Sequence, residues 1–65
     1  MKKIRLTGEQ AYNFGRYTNL YRKNLNNSYE LITFESYEND GFIIARNEYN
    51  TLILREHREY TFYSK

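Results

Sequence analysis

The chain has 65 residues, a formal net charge of +2, no cysteine and one histidine. A chain of this length buries only about 60% of the surface that its unfolded form exposes, so we expect one small domain over residues 1–65. Without cysteine there is no disulfide to stabilise it, and one histidine is too few for a structural zinc site. We therefore expect neither a metal nor a cofactor, and a partner subunit is the remaining source of added stability.

The N-terminus and the hydropathy pattern argue against a membrane segment. The first three residues resemble the start of a secretory signal, but Arg5 interrupts the apolar run between Ile4 and Leu6. No stretch approaches the ~20 apolar residues that a membrane-spanning helix needs. We expect a cytoplasmic protein without a membrane partner.

The distribution of charge and tyrosine indicates a binding role. Residues 1–25 hold six cations and one acid, whereas residues 26–65 hold four cations and seven acids. The N-terminal part therefore suits an acidic partner and the C-terminal part a basic one. Tyrosine occurs eight times, and its apolar ring with a polar hydroxyl is enriched at protein interfaces. In so small a core, several of these rings must also serve as packing.

The first predicted elements in chain order are a short strand over residues 2–6 and a helix. Thr7 and Gln10 have the spacing of a capping box, in which each side chain bonds the other residue's backbone N–H. Apolar residues at spacings of three and four then predict a helix from about residue 8 to about residue 25. The predicted inward stripe of this helix contains Ala11, Phe14, Thr18, Tyr21 and Leu25.

The middle of the chain predicts a loop and a β-hairpin. Residues 24–28 are rich in asparagine, which tolerates left-handed backbone geometry and is typical of loops. Residues 29–37 are rich in aromatic and β-branched side chains and predict a strand with Ile32 and Phe34 on one face. The Asp-Gly pair that precedes residues 42–45 is a strong hairpin signal, so we expect these residues to form the return strand.

Residues 47–60 fit two interpretations. Read as strands, they contain a turn over residues 47–50 and a third strand over residues 51–55, and residues 60–63 extend this strand or form a fourth. Read as a helix, they place four apolar side chains roughly on one face: Tyr49, Leu52, Ile53 and Tyr60. We favour strands because the segment is rich in β-branched and aromatic residues. The predicted fold class is α+β, with one N-terminal helix packed on a three- to four-stranded antiparallel β-sheet. The pattern is compatible with a short additional strand before the helix.

The outer face of the predicted helix carries the first candidate site. At 100° per residue, four residues fall on the side away from the apolar stripe: Tyr12, Arg16, Leu20 and Lys23. An aromatic ring, an aliphatic side chain and two cations make a compact contact surface for a partner protein. The competing interpretations are that singly exposed apolar residues need no explanation, or that Leu20 belongs to the core.

A basic surface for nucleic acid is the alternative. The residues concerned are Lys2, Lys3, Arg5, Arg16 and Lys23, with tyrosine rings to stack on bases. Against this alternative, the seven acids of the C-terminal part would repel a phosphate backbone lying across them. The helix also lacks a second helix at the spacing of a helix-turn-helix.

Catalysis is a further alternative. Histidine is the residue type whose reference pKa lies near neutrality, and the single histidine, His57, is flanked by Arg55, Glu56, Arg58 and Glu59. A metal-free ribonuclease uses these residue types as acid, base and phosphate clamp. A charged turn or a solvated strand explains the same pattern, and we predict no catalytic residue.

The sequence as a whole predicts a small non-enzymatic protein-binding module. Its size and composition are typical of accessory proteins of phages and mobile elements, which inhibit or modulate a larger host protein or nucleoprotein complex. A small nucleic-acid-binding protein and a metal-free ribonuclease are the alternatives. A structural homo-oligomer with no other partner, such as a dimer, is a further alternative.

Overall fold

The computed structural model describes residues 1–65, which form one helix and six strands. In chain order these are β1 (Lys2–Thr7), α1 (Gly8–Gly15), β2 (Leu20–Lys23), β3 (Tyr29–Tyr37), β4 (Phe42–Arg46), β5 (Thr51–Arg55) and β6 (Glu59–Ser64). The strands form one sheet in the order β1-β6-β2-β3-β4-β5, and all neighbouring pairs are antiparallel. The α+β class, the single helix on an antiparallel sheet and the strand before the helix are confirmed. The predicted number of three to four strands is wrong, because the sheet has six.

The helix begins as predicted and ends much earlier. Thr7 Oγ1 accepts from the Gln10 N–H at 3.1 Å, and Gln10 Oε1 accepts from the Thr7 N–H at 2.9 Å, so the capping box is complete. The helix ends at Gly15, beyond which the N–H of Tyr17 bonds the carbonyl of Phe14 at 3.1 Å. The predicted continuation of the helix is wrong.

Strand β2 replaces the second half of the predicted helix. Leu20 is fully buried, whereas Tyr21 lies on the opposite face and is partly exposed. This two-residue alternation is the pattern of a half-buried strand, and β3 and β6 pair with its backbone. The predicted inward stripe is right at Ala11, which is fully buried, and wrong at Phe14 and Leu25, which are 37% and 103% exposed.

Small residues bring α1 close to the sheet. Gly8, Ala11 and Gly15 recur at helical spacing on the inward side of α1, and Ala11 is fully buried. A methyl group added at Gly15 would lie 2.5 Å from the ring of Phe34. Tyr12, next to Ala11, packs edge-on against the same ring with the centroids 6.4 Å apart. The helix therefore docks through its glycines, Ala11 and Tyr12, and not through Phe14.

Three strand connections depend on turn residues that the sequence singled out. In the β2–β3 loop Asn27 has a left-handed φ of 63°, and in the β3–β4 turn Gly41 has a φ of 88°. In the β4–β5 turn Asn47 Oδ1 accepts from the N–H groups of Tyr49 and Asn50 at 2.8 and 2.7 Å. The asparagine loop, the Asp-Gly hairpin and the turn before β5 are therefore confirmed.

The C-terminal segment is formed by strands, as favoured. Residues 51–55 pair with β4, and residues 59–64 form β6 between β1 and β2. Strand β6 is therefore a separate central strand and not a continuation of β5. The helical interpretation of residues 47–60 is wrong.

The core is small and draws on most of the elements. Its buried side chains are Ala11, Leu20, Ile43, Leu54 and Phe62. Because they come from α1, β2, β4, β5 and β6, the sheet bends around one core and turns its other face outward. That outward face is therefore the part of the sheet that is available to ligands. The single helix has eight residues, and no helix is long and apolar enough to cross a membrane.

Candidate functional site

The outward side of β6, β2 and β3 gathers tyrosine and lysine side chains. Tyr63 of β6 lies opposite Lys3 of β1 and opposite Tyr21 of β2, and Lys23 of β2 lies opposite Tyr29 of β3. Directly opposite residues of antiparallel strands share a face of the sheet. With the C-terminal Lys65, which follows Tyr63 at a spacing of two, they form one surface. We call this surface the tyrosine–lysine face: Lys3, Tyr21, Lys23, Tyr29, Tyr63 and Lys65.

Lysine ammonium groups lie over the tyrosine rings of this face. The rings of Tyr29 and Tyr63 are 5.1 Å apart at an interplanar angle of 67°, and Lys23 Nζ is 5.6 and 5.3 Å from their centroids. Lys65 Nζ is 5.8 Å from the centroid of Tyr21. At such distances an ammonium group is attracted to the negative face of the ring. Each of the three rings therefore has a lysine within reach of its π system.

The tyrosine–lysine face combines exposed apolar area with these cations. Tyr29 is 40% exposed, and Tyr21 and Tyr63 are half-buried. Leu31, directly opposite Tyr21 on β3, is 45% exposed. A row of apolar side chains thus crosses β6, β2 and β3 on the outward side, where a ligand can contact it.

Acidic side chains are nearly absent from this part of the sheet. On the outward positions of β1, β6 and β2 the only acid is Glu59, whose Oε1 is 3.2 Å from Arg5 Nη2. On the β3 side, Glu48 and Tyr29 line an open cleft of about 440 Å³ together with Arg46. The face is therefore positive, with two carboxylates, those of Glu30 and Glu48, in the cleft at its rim.

The four residues predicted to bind a partner protein do not lie together. Leu20 is in the core because β2 turns it inward, and Lys23 belongs to the tyrosine–lysine face. Tyr12 and Arg16 remain neighbours at the end of α1, where Arg16 Cζ is 5.6 Å from the Tyr12 centroid and 6.0 Å from that of Tyr17. Tyr17 is 84% exposed. Of the surface expected on one long helix, only Tyr12 and Arg16 therefore remain together. With the exposed Tyr17 they form a small surface that we call the corner around Arg16.

The residues predicted to bind nucleic acid are partly brought together. Lys3 and Lys23 lie on the tyrosine–lysine face, and Arg5 follows Lys3 on the outward side of β1. Lys2 alternates to the other side of β1, and Arg16 is at the end of α1. The three N-terminal cations Lys2, Lys3 and Arg5 thus belong to β1, an edge strand of the sheet.

His57 lies in the β5–β6 turn with an exposed side chain. Its Nε2 is 3.0 Å from Glu56 Oε1, and Glu56 Oε2 accepts from the Tyr37 hydroxyl at 2.5 Å. Glu9 Oε2 is 3.2 Å from the same hydroxyl, so one phenol proton lies between two carboxylates. The hydrogen bond to Glu56, with desolvation and the two negative charges, raises the pKa of Tyr37 well above its ordinary value. These contacts hold the β5–β6 turn against the start of α1.

Sequence reasoning missed four members of the tyrosine–lysine face: Tyr21, Tyr29, Tyr63 and Lys65. A signal for them was present, because Tyr21 and Lys23 are two residues apart, as are Tyr63 and Lys65. A spacing of two places both members of each pair on one face of a strand. The signal was lost for Tyr21 because that residue was assigned to a helix.

Comparison with known proteins finds no match: no family model, no curated protein and no solved structure matches this chain. A function therefore has to be inferred from the chemistry of its own surface.

Proposed function

We propose that this protein binds single-stranded nucleic acid on the tyrosine–lysine face. The observation that carries the proposal is the placement of lysine ammonium groups 5.3, 5.6 and 5.8 Å from the centroids of tyrosine rings. A base that stacks on such a ring displaces the lysine, whose ammonium group then contacts the adjoining phosphate. Stacking on an aromatic side chain contributes about 1–3 kcal/mol per base and tolerates any sequence.

The type of cation favours nucleic acid over protein as the ligand of this face. Both cations over the rings, Lys23 and Lys65, are lysines, and so is Lys3, which lies opposite Tyr63 on β1. Lysine is depleted in the cores of protein interfaces, where arginine is enriched. A phosphate chain of variable path instead suits lysine, which acts as a flexible point charge with no need for fork geometry.

The positions of the acids also support the proposal. Glu38 and Asp40 are in the β3–β4 turn, and Glu56 is in the β5–β6 turn. Glu59 lies on the outward side of β6 but is paired with Arg5. A strand of nucleic acid lying across β6 and β2 therefore meets the lysines without crossing the acids of the turns.

Fluorescence anisotropy with labelled oligo(dT) of about 12 nucleotides tests the proposal. With three lysines on phosphates, the logarithm of the association constant should fall with that of salt at a slope of about −2, or about twentyfold between 50 and 200 mM. Tyr29→Ala should weaken binding about 5- to 150-fold through the loss of one stacked base. Lys23→Gln should reduce the slope by about 0.7.

Matched variants away from the face separate a specific effect from a general one. Tyr49→Ala removes a tyrosine that is 77% exposed in the β4–β5 turn, and the affinity should not change. A duplex of the same length should bind less tightly, because its bases are not free to stack. Retention of full affinity in Tyr29→Ala, equal affinity for the duplex, or no binding at low salt would each refute the proposal.

Binding to a partner protein through the corner around Arg16 is the second candidate function. Its support is the placement of Arg16 over the rings of both Tyr12 and Tyr17, the second of which is 84% exposed. Tyrosine and arginine are the residue types most enriched at the energetic centres of protein interfaces. This corner keeps two of the residues that the sequence predicted for such a function.

Affinity capture with purified variants tests this second function. Arg16→Ala and Tyr17→Ala should each lose a captured protein that the wild type and Tyr49→Ala retain in equal amount. Tyr17 is exposed, so circular dichroism should show an unchanged fold in its variant. If both variants still capture the protein, the corner around Arg16 is excluded as its binding site.

A further inference from the structure

The two edges of the sheet differ in how they are protected. Strand β1 forms one edge and carries Lys2, Lys3 and Arg5 among its six residues, a charge density that opposes pairing with another strand. Strand β5 forms the other edge with the sequence Thr-Leu-Ile-Leu-Arg, and it pairs with β4 without a bulge. It contains no proline or lysine, and Ile53 at its centre is 62% exposed. The β5 edge therefore lacks the usual protection against strand addition.

The backbone hydrogen bonds at the two ends of the β4–β5 pair show which groups point to this free edge. The Asn47 N–H bonds the Asn50 carbonyl at 3.0 Å, and the Glu56 N–H bonds the Gly41 carbonyl at 3.0 Å. Hydrogen-bonded and non-hydrogen-bonded pairs alternate along an antiparallel ladder. Counting inward from either end, the N–H and C=O groups of residues 51, 53 and 55 point away from β4.

One of these three positions is already occupied. The Arg55 N–H bonds the Tyr60 hydroxyl at 2.8 Å, which confirms that it points away from β4. The Arg55 carbonyl lies against Gly8, where an added methyl group would collide with it. The free part of the edge is thus limited to Thr51 and Ile53.

The geometry points to a homodimer in which β5 pairs antiparallel with β5 of a second copy, centred on Leu52. This register places Thr51 opposite the partner's Ile53 and, by symmetry, Ile53 opposite the partner's Thr51. Both free N–H groups and both free carbonyls of each copy then form hydrogen bonds. The inference is independent of the proposed nucleic-acid binding, because β5 contributes no residue to the tyrosine–lysine face.

The sequence of β5 explains why the partner is a second copy. The register is self-complementary, as a two-fold interface requires, and it opposes no like charges, since Arg55 lies outside the paired residues. Within one copy, Ile44 of β4 lies directly opposite Ile53. Pairing places the partner's Thr51 beside Ile53 and so covers part of this exposed apolar side chain. A β1–β1 contact would instead bring the cations of both copies together.

Sedimentation velocity from about 10 μM to about 1 mM tests this inference with proline variants. Thr51→Pro and Ile53→Pro remove an N–H that points away from β4, a position where edge strands tolerate proline. The wild type should sediment as a dimer over part of this range. Both proline variants should remain folded by circular dichroism and sediment as monomers.

Lysine variants give a second readout that does not depend on the backbone. Ile53→Lys should abolish the dimer, whereas Leu31→Lys, which also replaces an exposed apolar residue of the outward face, should retain it. A wild type that is monomeric at every concentration would refute self-pairing and leave the edge to a strand of another protein. Folded Ile53→Pro and Ile53→Lys variants that still dimerise would refute it as well.

Discussion

Two glycines determine how closely α1 approaches the sheet. A methyl group at Gly8 would collide with the backbone carbonyl of Arg55, and one at Gly15 with the rigid ring of Phe34. Alanine would otherwise stabilise a helix by about 1 kcal/mol relative to glycine, but overpacking costs about 1–3 kcal/mol. We expect Gly8→Ala to lower the free energy of unfolding most and Gly15→Ala less, measured by urea denaturation. Asn13→Ala, on the exposed side, should be neutral or slightly stabilising, and a higher midpoint for Gly8→Ala would contradict the close contact.

The hydrogen bond from the Tyr37 hydroxyl to Glu56 should make the stability of the fold depend on pH. Because its hydrogen bond to Glu56 raises the pKa in the folded state, deprotonation favours the unfolded chain, where the pKa is about 10. The stabilisation is therefore complete below about pH 10 and is lost as the pH rises further. We expect the difference in unfolding free energy between wild type and Tyr37→Phe to be constant up to about pH 10 and to shrink above it. Tyr49→Phe should match the wild type throughout, and a difference that grows with pH would contradict this assignment.

At the scale of elements, residues 20–25 show how a strand was mistaken for a helix. Leu20 is fully buried in β2, whereas Leu25, which the helix interpretation placed inward, is entirely exposed in the following loop. Leu20→Ala should therefore cost about 2–5 kcal/mol of unfolding free energy, and Leu25→Ala should lie within about 0.5 kcal/mol of wild type. Chemical denaturation of the two variants compares identical substitutions five positions apart. A larger cost at Leu25 than at Leu20 would instead support the helix interpretation, which places Leu25 inward and Leu20 outward.

At the scale of the whole molecule, the fold determines which charged side chains share a surface. The sequence showed only that residues 1–25 are mainly basic and residues 26–65 mainly acidic. Lys3, Lys23 and Lys65 lie together on the tyrosine–lysine face, whereas Glu38, Asp40 and Glu56 lie in the β3–β4 and β5–β6 turns. Glu48, in the β4–β5 turn, instead lines the cleft beside Tyr29, together with Glu30 of β3. Glu48→Gln should tighten oligonucleotide binding about two- to fivefold, the effect of removing one exposed like charge. Glu38→Gln, in the β3–β4 turn, should leave the anisotropy titration unchanged, and equal effects would mean that only net charge matters.

Local features of the sequence predicted a large part of the fold. The capping box at Thr7 and Gln10, the Asp-Gly turn and the asparagine loops were predictable, because each depends on hydrogen bonds and backbone angles within a few residues. The alternation of Ile32 and Phe34 with exposed neighbours was likewise readable from β3 alone. The paired spacing of Tyr21 with Lys23, and of Tyr63 with Lys65, was present but meaningful only once both segments were known to be strands.

What the sequence by itself determined about this protein was the set of local turns and caps and the α+β class. Only the tertiary structure decided that residues 20–23 join the sheet, since apolar spacing there fits a helix until β3 and β6 offer hydrogen-bonding partners. Because residues 20–23 form a strand, Leu20 lies in the core and Tyr21 lies on the outward face. The predicted helix surface is therefore absent, and Tyr21 belongs to the tyrosine–lysine face. The free β5 edge was equally hidden from the sequence, because which strand ends the sheet depends on pairings between residues far apart in the chain.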